Sequence, residues 1–401
     1  MTPRLQFWFN APVDKTTAAA AIAFSGDAGA AVNFALAFLQ GDSSFTIQPS
    51  QPLFGLTAYE ISISRLLKSA AGALLTSAAT VTLKTGIDST DKFPRITDDA
   101  LLTLVQRQTF TYFWDFAHPN SGMARERNTS GDLVTTGGTG FGIMGIVTGI
   151  HRGFISRQQG LDRTARIVNF LTTQAPRFKG AFPHWINGNT GAVIPFSAND
   201  NGADLVETSL LAMGLITARQ YFDGADAAEV ALRNSINAIV NGIEWNWFRK
   251  GNEQVLYWHW SPDKGWAMNL KIGGWNECLI TYVLAAASSN FGISDTVYHK
   301  GYARDGAMGN GKTFYNTRLP LGPDFGGPLF LSHYSFMGIN PNGLNDQYAN
   351  YWTQQVAHST INFEYCKANP RAQQGYSAAC WGLTASDIPG GYTASSPAND
   401  V

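Results

Sequence analysis

The sequence predicts two domains, an all-β sandwich followed by an all-α toroid of nested helices. As far as residue 87 the chain consists of short β-prone segments, and from Thr97 its apolar residues follow a helical period. Several of the later helices are apolar on every side, which requires an outer layer of helices around them. At 401 residues the chain is long enough to bury two cores of this kind.

Residues 1–87 have the strand pattern of a β-sandwich. The clearest strand-like segments are residues 5–9, 20–24, 59–63 and 79–83. Turn-forming Gly, Asp, Ser and Pro separate such segments, as at 41–44 and 48–52. Residues 88–96 are interpreted as a linker.

The helical part, residues 97–401, begins with a recognisable helix start. Thr97 is a predicted N-cap with two acidic residues in the first turn, and Ser156 with Gln159 fits a capping box. Further helices are predicted near 139–152, 158–174, 204–222, 226–247, 275–289, 294–304, 327–338 and 346–368. A short strand is expected at 257–260.

Three of these helices, in segments 136–150, 203–217 and 273–287, resemble one another. Each opens with polar or glycine-rich sequence and then becomes almost wholly apolar. Alternation of amphipathic and fully buried helices implies two concentric layers. The rim where loops meet the ends of the inner helices is therefore the expected cleft.

Composition excludes several kinds of partner. Charged residues are only 14% and the net charge is −1, which gives no electrostatic footprint for nucleic acid. No run approaches the roughly 18 apolar residues of a membrane span. Aromatic residues reach 12%, with 11 Trp, and suit loops that carry flat stacking surfaces. No leader is recognised, so a periplasmic or extracellular location is expected only if one precedes this sequence.

Neither a metal nor a cofactor is expected. The spacing of Cys366 and Cys380 permits a disulfide, but three small buried hydrophobic residues, with Cys278, is the favoured interpretation. No Cys/His grouping has zinc-ligand spacing. The glycine-rich stretch 137–142 lacks a surrounding βαβ unit, and there is no Walker loop or Gly-x-Ser-x-Gly elbow.

Two glutamates, Glu207 and Glu277, follow polar loops and open apolar helices. A carboxylate there is costly to desolvate unless it is hydrogen-bonded or held for proton transfer. Burial and the neighbouring Asp200 and Asp204 would raise the pKa of Glu207, which suits a general acid of glycoside hydrolysis. The alternative is a glutamate that only complements the helix dipole.

A second carboxylate is needed to activate water or attack carbon. Asp387 is the leading candidate because it lies in a Ser/Gly/Pro loop, 385–391, although an Asp that favours a turn before proline is an equal alternative. Asp115, at a helix end, could activate water, bind hydroxyls or cap structure. Glu277 could be the partner carboxylate, bind substrate or be structural.

Aromatic, basic and imidazole side chains supply candidate sugar contacts. Arg125 and Arg127 offer bidentate donors, with an ion pair to Glu126 as the alternative. The tryptophans could equally be core residues. The remaining candidates for substrate binding are His118, His184, Trp185, Asp204, Trp258, Trp260, Trp275, Glu277, His333 and Tyr334.

The sequence also resembles known families. Residues 12–14, Tyr59 and 66–72 resemble bacterial Ig-like domains. Eight ordered motifs resemble the glucoamylase-like family of bacterial (α/α)6 proteins, which includes endo-β-1,2-glucanases. They lie at 113–119, 122–127, 136–144, 182–185, 204–208, 274–277, 331–336 and 381–387, within a match over about 97–395.

The resemblance points to Glu207 as the acid but does not fix the substrate. The predicted activity is that of an inverting endo-β-1,2-glucanase that needs no cofactor. Family members continue with further helices, so the toroid is expected to lack its last ones. Alternatives are an exo-acting β-glucosidase or glucoamylase-like hydrolase, or a polysaccharide lyase with Tyr334 or His333 as base. A non-catalytic glycan-binding protein is the alternative from another class. The expected partner is a glucan, and a monomer is expected.

Overall fold

The computed structural model describes residues 2–88, 90–388 and 390–400, in two compact units. One unit comprises Met1–Arg95 with Asn369–Cys380, and the other comprises Ile96–Ala368 with Trp381–Val401. The order of a β-rich unit and then a helical unit is the predicted one. Residues 369–380 also belong to the first unit although they lie far along the chain, and this was not predicted.

The first unit contains two three-stranded antiparallel sheets. Their orders are β1-β4-β3 and β2-β5-β6. The elements are β1 Leu5–Trp8, α1 Lys15–Ala21, β2 Ile22–Gly26, β3 Phe34–Leu39, β4 Ser44–Pro49, β5 Ala58–Ile63 and β6 Ala79–Lys84. Phe24, Phe45, Ile47 and Ile61 from both sheets share one buried core. The β-sandwich prediction is therefore confirmed.

The sequence analysis missed one helix of this unit and placed one turn too early. Helix α1 was not predicted, although Asp14 caps it by accepting a hydrogen bond from the backbone N–H of Thr16. Strand β4 continues to Pro49, through part of the predicted turn 48–52. Pro49 lies opposite Phe34 at the strand's last position, where the missing N–H interrupts little of the ladder.

The second unit is mostly helical. Thr97 caps the first helix, and Ser156 with Gln159 forms the predicted capping box. The helices are α2 Asp98–Trp114, α3 Thr136–His151, α4 Arg157–Thr173, α5 Leu205–Tyr221, α6 Ala227–Asn241, α7 Leu279–Ala287, α8 Asp295–Val297, α9 Phe330–His333 and α10 Tyr351–Ala368. The strands are β7 Leu133–Thr135, β8 Trp185–Asn187, β9 Val193–Ile194, β10 Ala203–Asp204, β11 Leu256–Tyr257, β12 His259–Trp260, β13 Lys271–Ile272, β14 Thr313–Phe314, β15 Thr317–Arg318, β16 Ala385–Ile388 and β17 Gly391–Ala394.

Several helices are shorter than predicted. Helix α6 ends before Gly242, and the rest of that prediction is a 3-10 turn, Trp245–Arg249. The predicted helix at 294–304 is α8 followed by a π turn, Tyr298–Tyr302. The one at 327–338 contains only α9 and a 3-10 turn, Ser335–Met337. Glycines before and after that segment favour non-helical backbone.

Helices α3, α5 and α7 pack side by side in that order, while α4 packs on α3 and α6 packs on α5. A Cβ atom on Gly140 would collide with the backbone of Leu210, and one on Gly214 would collide with the backbone of Gly140. Helices α3 and α5 therefore approach backbone to backbone. Most residues of α5 are buried, so this helix is covered on nearly all sides, whereas Val283 of α7 is 41% exposed.

Cys278 and Cys366 are buried, as predicted for small hydrophobic residues, but Cys380 is exposed. Within the described ranges, no helix is both long enough and apolar enough to cross a membrane.

Candidate active site

A cavity of about 520 Å³ lies in the helical unit where α3 and α5 begin. Both helices present their N-terminal turns to it. The end of α2, the segments around residues 126, 185, 196 and 334, and the β16–β17 hairpin supply the other walls. The lining residues are Tyr112, Phe113, Ala124, Arg125, Glu126, Arg127, Thr135, Gly137, Gly138, Phe141, His184, Trp185, Phe196, Glu207, Leu210, Tyr334 and Tyr392. The cavity therefore lies at the starts of two of the helices that the sequence analysis expected to border a cleft.

Glu207 faces this cavity from the first turn of α5. Asp204 caps the helix, because its Oδ1 accepts hydrogen bonds from the backbone N–H groups of Val206 (3.0 Å) and Glu207 (2.9 Å). The Glu207 Oε2 accepts from the backbone N–H of Gly137 at 2.9 Å. A Cβ atom at Gly137 would collide with this carboxyl group, so any other residue there would displace the Glu207 side chain.

The Glu207 carboxyl group is suited to hold a proton near neutral pH. Burial, reinforced by the charge of Asp204, raises its pKa to about 7, against the opposing effect of the His184 charge. Its side chain is still 17% exposed, so a ligand in the cavity can reach it. This is the protonation behaviour that a general acid requires.

Behind Glu207 lies a chain of alternating acidic and imidazole groups. The His184 Nε2 is 4.0 Å from Glu207 Oε1, and its Nδ1 is 3.2 Å from Asp204 Oδ2. The His259 Nε2 is 3.3 Å from Asp204 Oδ2 and 3.2 Å from Asp200 Oδ2. His259, Asp204 and Asp200 are all buried. The sequence analysis placed Asp200 and Asp204 near Glu207 and named His184 as a sugar contact, but it did not predict that His259 pairs with both aspartates.

The network fixes the charges of its members. Burial would lower the pKa of both imidazoles, but Glu207 and Asp204 raise that of His184 to about 9, and Asp200 and Asp204 raise that of His259 to about 9. Burial would likewise raise the pKa of Asp204, yet hydrogen bonds from both imidazoles lower it below its usual range. At neutral pH the imidazolium groups of His184 and His259 are therefore paired with the Asp204 carboxylate.

Three members of this network are also candidate metal ligands. Donor atoms of His184, Asp200 and Asp204 lie within 4.8 Å of one another. In this structure the Asp204 carboxylate faces both imidazoles and the Asp200 carboxylate faces His259. A protonated imidazole nitrogen offers no lone pair to a metal. The donor set fits an ion-pair network better than a cation site.

Glu126 is a site carboxylate that the sequence analysis missed. Its Oε2 accepts from the Trp185 indole N–H at 3.2 Å, and its Oε1 accepts from Arg127 Nη1 at 3.4 Å. The Tyr112 hydroxyl donates to the carbonyls of Arg125 (2.7 Å) and Glu126 (3.1 Å), which fixes the loop. The sequence analysis named Glu126 only as a possible ion-pair partner of Arg125 and Arg127, which were the substrate-binding candidates. A second carboxylate thus lines the same cavity as Glu207.

Aromatic rings form much of the remaining wall. Phe196, which was not predicted, stacks on His184 with ring centroids 4.3 Å apart and lies 4.7 Å from Trp185. Tyr334 packs on Phe141 at 4.9 Å. Rings with accessible faces are the usual means of binding the apolar faces of sugars.

Three predicted site residues lie elsewhere. Asp115 ends α2 as its exposed C-cap and does not line the cavity. His118 is 1% exposed, and its Nε2 is 3.2 Å from Asp132. Trp275 is buried in the core and donates to the Ser332 hydroxyl at 3.3 Å. His118 and Trp275 lie in loop-like sequence, but they are buried because residues far along the chain pack over them.

Besides Asp204, which is fully buried in the network and cannot contact substrate directly, four other candidates do not line this cavity. Trp260 packs on Trp247 with ring centroids 5.4 Å apart. Burial raises the pKa of Glu277, but its carboxyl group is not part of the cavity wall. Trp258 and His333 are likewise not part of the cavity wall. Of the two arginines, Arg125 lines the cavity but uses its guanidinium on the carbonyls of Gly131 and Phe116.

Asp387 is held by an arginine. It lies on β16 with its side chain 61% exposed, and it does not line the cavity. The Arg127 Nε is 3.1 Å from both of its carboxylate oxygens, and Arg127 Nη2 is 3.0 Å from Oδ1. A carboxylate engaged in this way is poorly placed to accept a proton from water. Pro389, on which the turn alternative depended, lies outside the described residues.

Comparison with known proteins identifies relatives of both units. Residues 269–401 match the family described as "Putative glucoamylase", and residues 1–85 match the family described as "Bacterial Ig-like domain". A crystal structure described as a putative glucoamylase from Bacteroides uniformis is 50% identical, with a TM-score of 0.75 over 77% of this chain and 76% of that one. The endo-β-1,2-glucanase from Chitinophaga pinensis, in complex with sophorotriose and glucose, is 46% identical, with a TM-score of 0.74 and the same two coverages, 77% and 76%.

A curated relative is also similar to this chain. It is the exo β-1,2-glucooligosaccharide sophorohydrolase (non-reducing end) of Parabacteroides distasonis, 44% identical over 323 residues. The match covers 75% of this chain and 44% of that protein. The chain thus spans less than half the length of this relative.

Proposed function

The chain belongs to the glucoamylase-like family of these relatives, and from that premise we propose that it hydrolyses β-1,2-linked glucan with Glu207 as general acid. The observation that carries the proposal is a carboxyl group with a pKa of about 7 in a cavity walled by aromatic rings. Two of the similar proteins are named as hydrolases of β-1,2-linked glucose chains. These names support the choice of substrate.

In this mechanism Glu207 protonates the glycosidic oxygen as the bond to the sugar breaks. The resulting carboxylate is stabilised by the N–H of Gly137 and by the imidazolium of His184, whose Nε2 is 4.0 Å away. Asp204 holds His184 in its charged form. Proton donation thus leaves a compensated charge in the cavity wall, because partners already surround it.

We assign the second carboxylate role to Glu126 instead of Asp387. Glu126 lines the cavity, and donors from Trp185 and Arg127 orient its oxygens. An oriented anion can activate water or stabilise the positive charge that develops on the sugar ring. Inversion of configuration remains the prediction, and the anomeric form of the first product, followed by NMR, tests it.

Substitution of the acid tests the function directly. We expect Glu207→Gln to lower kcat on β-1,2-glucan by about 10²- to 10⁴-fold, the range typical of general acid–base catalysis. The control is Asp115→Asn, an exposed change away from the cavity, which should retain the parent rate. Hydrolysis by Glu207→Gln at the parent rate would refute the acid assignment. A parent that binds glucan without turnover would favour the glycan-binding alternative.

An exo-acting hydrolase is the second candidate, because the curated relative is an exo-acting enzyme by name. Product analysis separates the two modes. Early release of mixed oligosaccharide lengths from the polymer indicates endo action, whereas a single short product indicates exo action.

We further propose that the helices belong to a toroid and that the protein acts in the periplasm or outside the cell as a monomer. The alternation of central and outer helices and the match to a bacterial Ig-like domain support the first two points.

A further inference from the structure

The β16–β17 hairpin presents a tyrosine to the cavity. Asp387 and Tyr392 are directly opposite one another in its register, so both side chains project from the same face. Tyr392 lines the cavity and is 60% exposed. In the part of the chain that the structure describes, no second aromatic ring is recorded against it. The ring is therefore accessible from the cavity.

One guanidinium group joins this hairpin to the Glu126 loop. Arg127 makes a forked contact with Asp387, and its guanidinium lies 5.7 Å from the centroid of the Tyr392 ring. Its Nη1 also donates to Glu126. Arg127 is thus in contact with both cross-strand partners of the hairpin and with the second carboxylate of the cavity.

The forked ion pair is better suited to positioning than to stability. Its two side chains are 39% and 61% exposed, and exposed pairs contribute little to folding free energy. A forked arginine–carboxylate contact does fix the direction of both groups. Since Tyr392 lies across the strand pair from Asp387, the contact also fixes where the tyrosine ring stands.

We propose that Tyr392 is a sugar-binding platform of the cavity and that Asp387, through Arg127, is its positioning residue. A glucosyl unit of a neutral gluco-oligosaccharide stacks on the ring, while Arg127 and the tyrosine hydroxyl donate to its hydroxyl groups. This inference rests on the proposed function for the substrate class. It gives Asp387 a role in substrate binding, whereas a general base would act in the chemical step.

Binding is tested in the Glu207→Gln background, so that turnover is not needed. We expect Tyr392→Ala to weaken binding of β-1,2-linked glucotriose about tenfold by calorimetry, and Tyr392→Phe to retain most of the affinity. The control is Trp352→Ala, which removes an exposed aromatic ring, 53% accessible, from α10 outside the cavity wall. Unchanged affinity in Tyr392→Ala would overturn the inference.

The kinetic readout separates positioning from base catalysis. In the otherwise unchanged chain, Asp387→Asn should raise KM several-fold and leave kcat and the shape of the pH profile near those of the parent. A 10²-fold or larger loss of kcat at unchanged KM would restore Asp387 as a base and refute this inference. If the parent shows no turnover but its glucotriose affinity depends on Tyr392, the proposed function fails while the platform stands.

Discussion

Glu207 and Asp204 are three residues apart, yet the pKa values of their carboxyl groups move in opposite directions. Burial dominates at Glu207 and raises its pKa to about 7, because the His184 charge and a single N–H donor only partly compensate. At Asp204 hydrogen bonds from two imidazoles outweigh burial and lower the pKa. One helix start thus supplies both a proton donor and the permanent anion that holds His184.

The pH dependence of catalysis follows from the raised pKa. A general acid works while protonated, so kcat/KM should be constant at mildly acidic pH and fall about tenfold per unit above pH 7. The charge of His184 lowers the pKa of Glu207. In His184→Gln the alkaline limb should therefore shift to higher pH, even if the overall rate is lower.

This prediction is measured from kcat/KM across pH on a soluble β-1,2-gluco-oligosaccharide. Asp115→Asn serves as the matched variant and should reproduce the parent profile. An alkaline limb that moves to lower pH in His184→Gln would contradict the electrostatic role given to this histidine.

Among the helices, the closest approach is between α3 and α5. Gly140 and Gly214 allow the two backbones to meet, because a Cβ atom at either position would overlap the facing helix. The same approach brings Gly137 of α3 to the Glu207 carboxyl group. The glycine-rich start of α3 is therefore a packing requirement that also shapes the cavity.

Alanine substitutions along α3 test this requirement. Gly140→Ala should destabilise the protein by about 1–3 kcal/mol or more, the typical effect of an overpacked core. At Gly145 a new Cβ atom would meet Phe113 at an ordinary 3.5 Å. Gly145→Ala should thus be neutral or stabilising by about 0.5–1 kcal/mol, since alanine favours helix. Urea denaturation measures both, and equal effects would contradict the close-contact argument.

On the scale of the whole molecule, the two compact units have separate buried cores. The core of the first unit includes Phe45 and Ile61, and the cores around the active-site helices contain none of its residues. Catalytic geometry and the stability of the β unit therefore depend on different sets of buried side chains.

A core substitution in the first unit should lower the stability of the β unit without changing catalysis. Ile61, fully buried, is paired across the sheet with Val81, which is 37% exposed. Ile61→Ala should cost about 2–5 kcal/mol of unfolding free energy, whereas Val81→Ala should cost much less. Below the unfolding transition both variants should retain the parent kcat. A fall in kcat that follows the loss of stability would show that the cores are not independent.

The sequence by itself determined the two kinds of structure, their order, and the position of Glu207 at the start of an apolar helix. These rest on local patterns, namely the period of apolar residues, the caps at Thr97 and Ser156, and a carboxyl group at the start of an apolar helix. Local patterns survive folding because the hydrogen bonds and burial of one element depend chiefly on its own residues.

Only the tertiary structure decided which loop residues meet in the cavity. Arg127 and Asp387 are 260 positions apart, and their contact turns an expected base into a partner of the arginine. Packing between distant segments likewise covers Trp275 and His118, while Glu126 faces the cavity. Loop side chains are directed by non-local contacts, which no pattern within one stretch of sequence records.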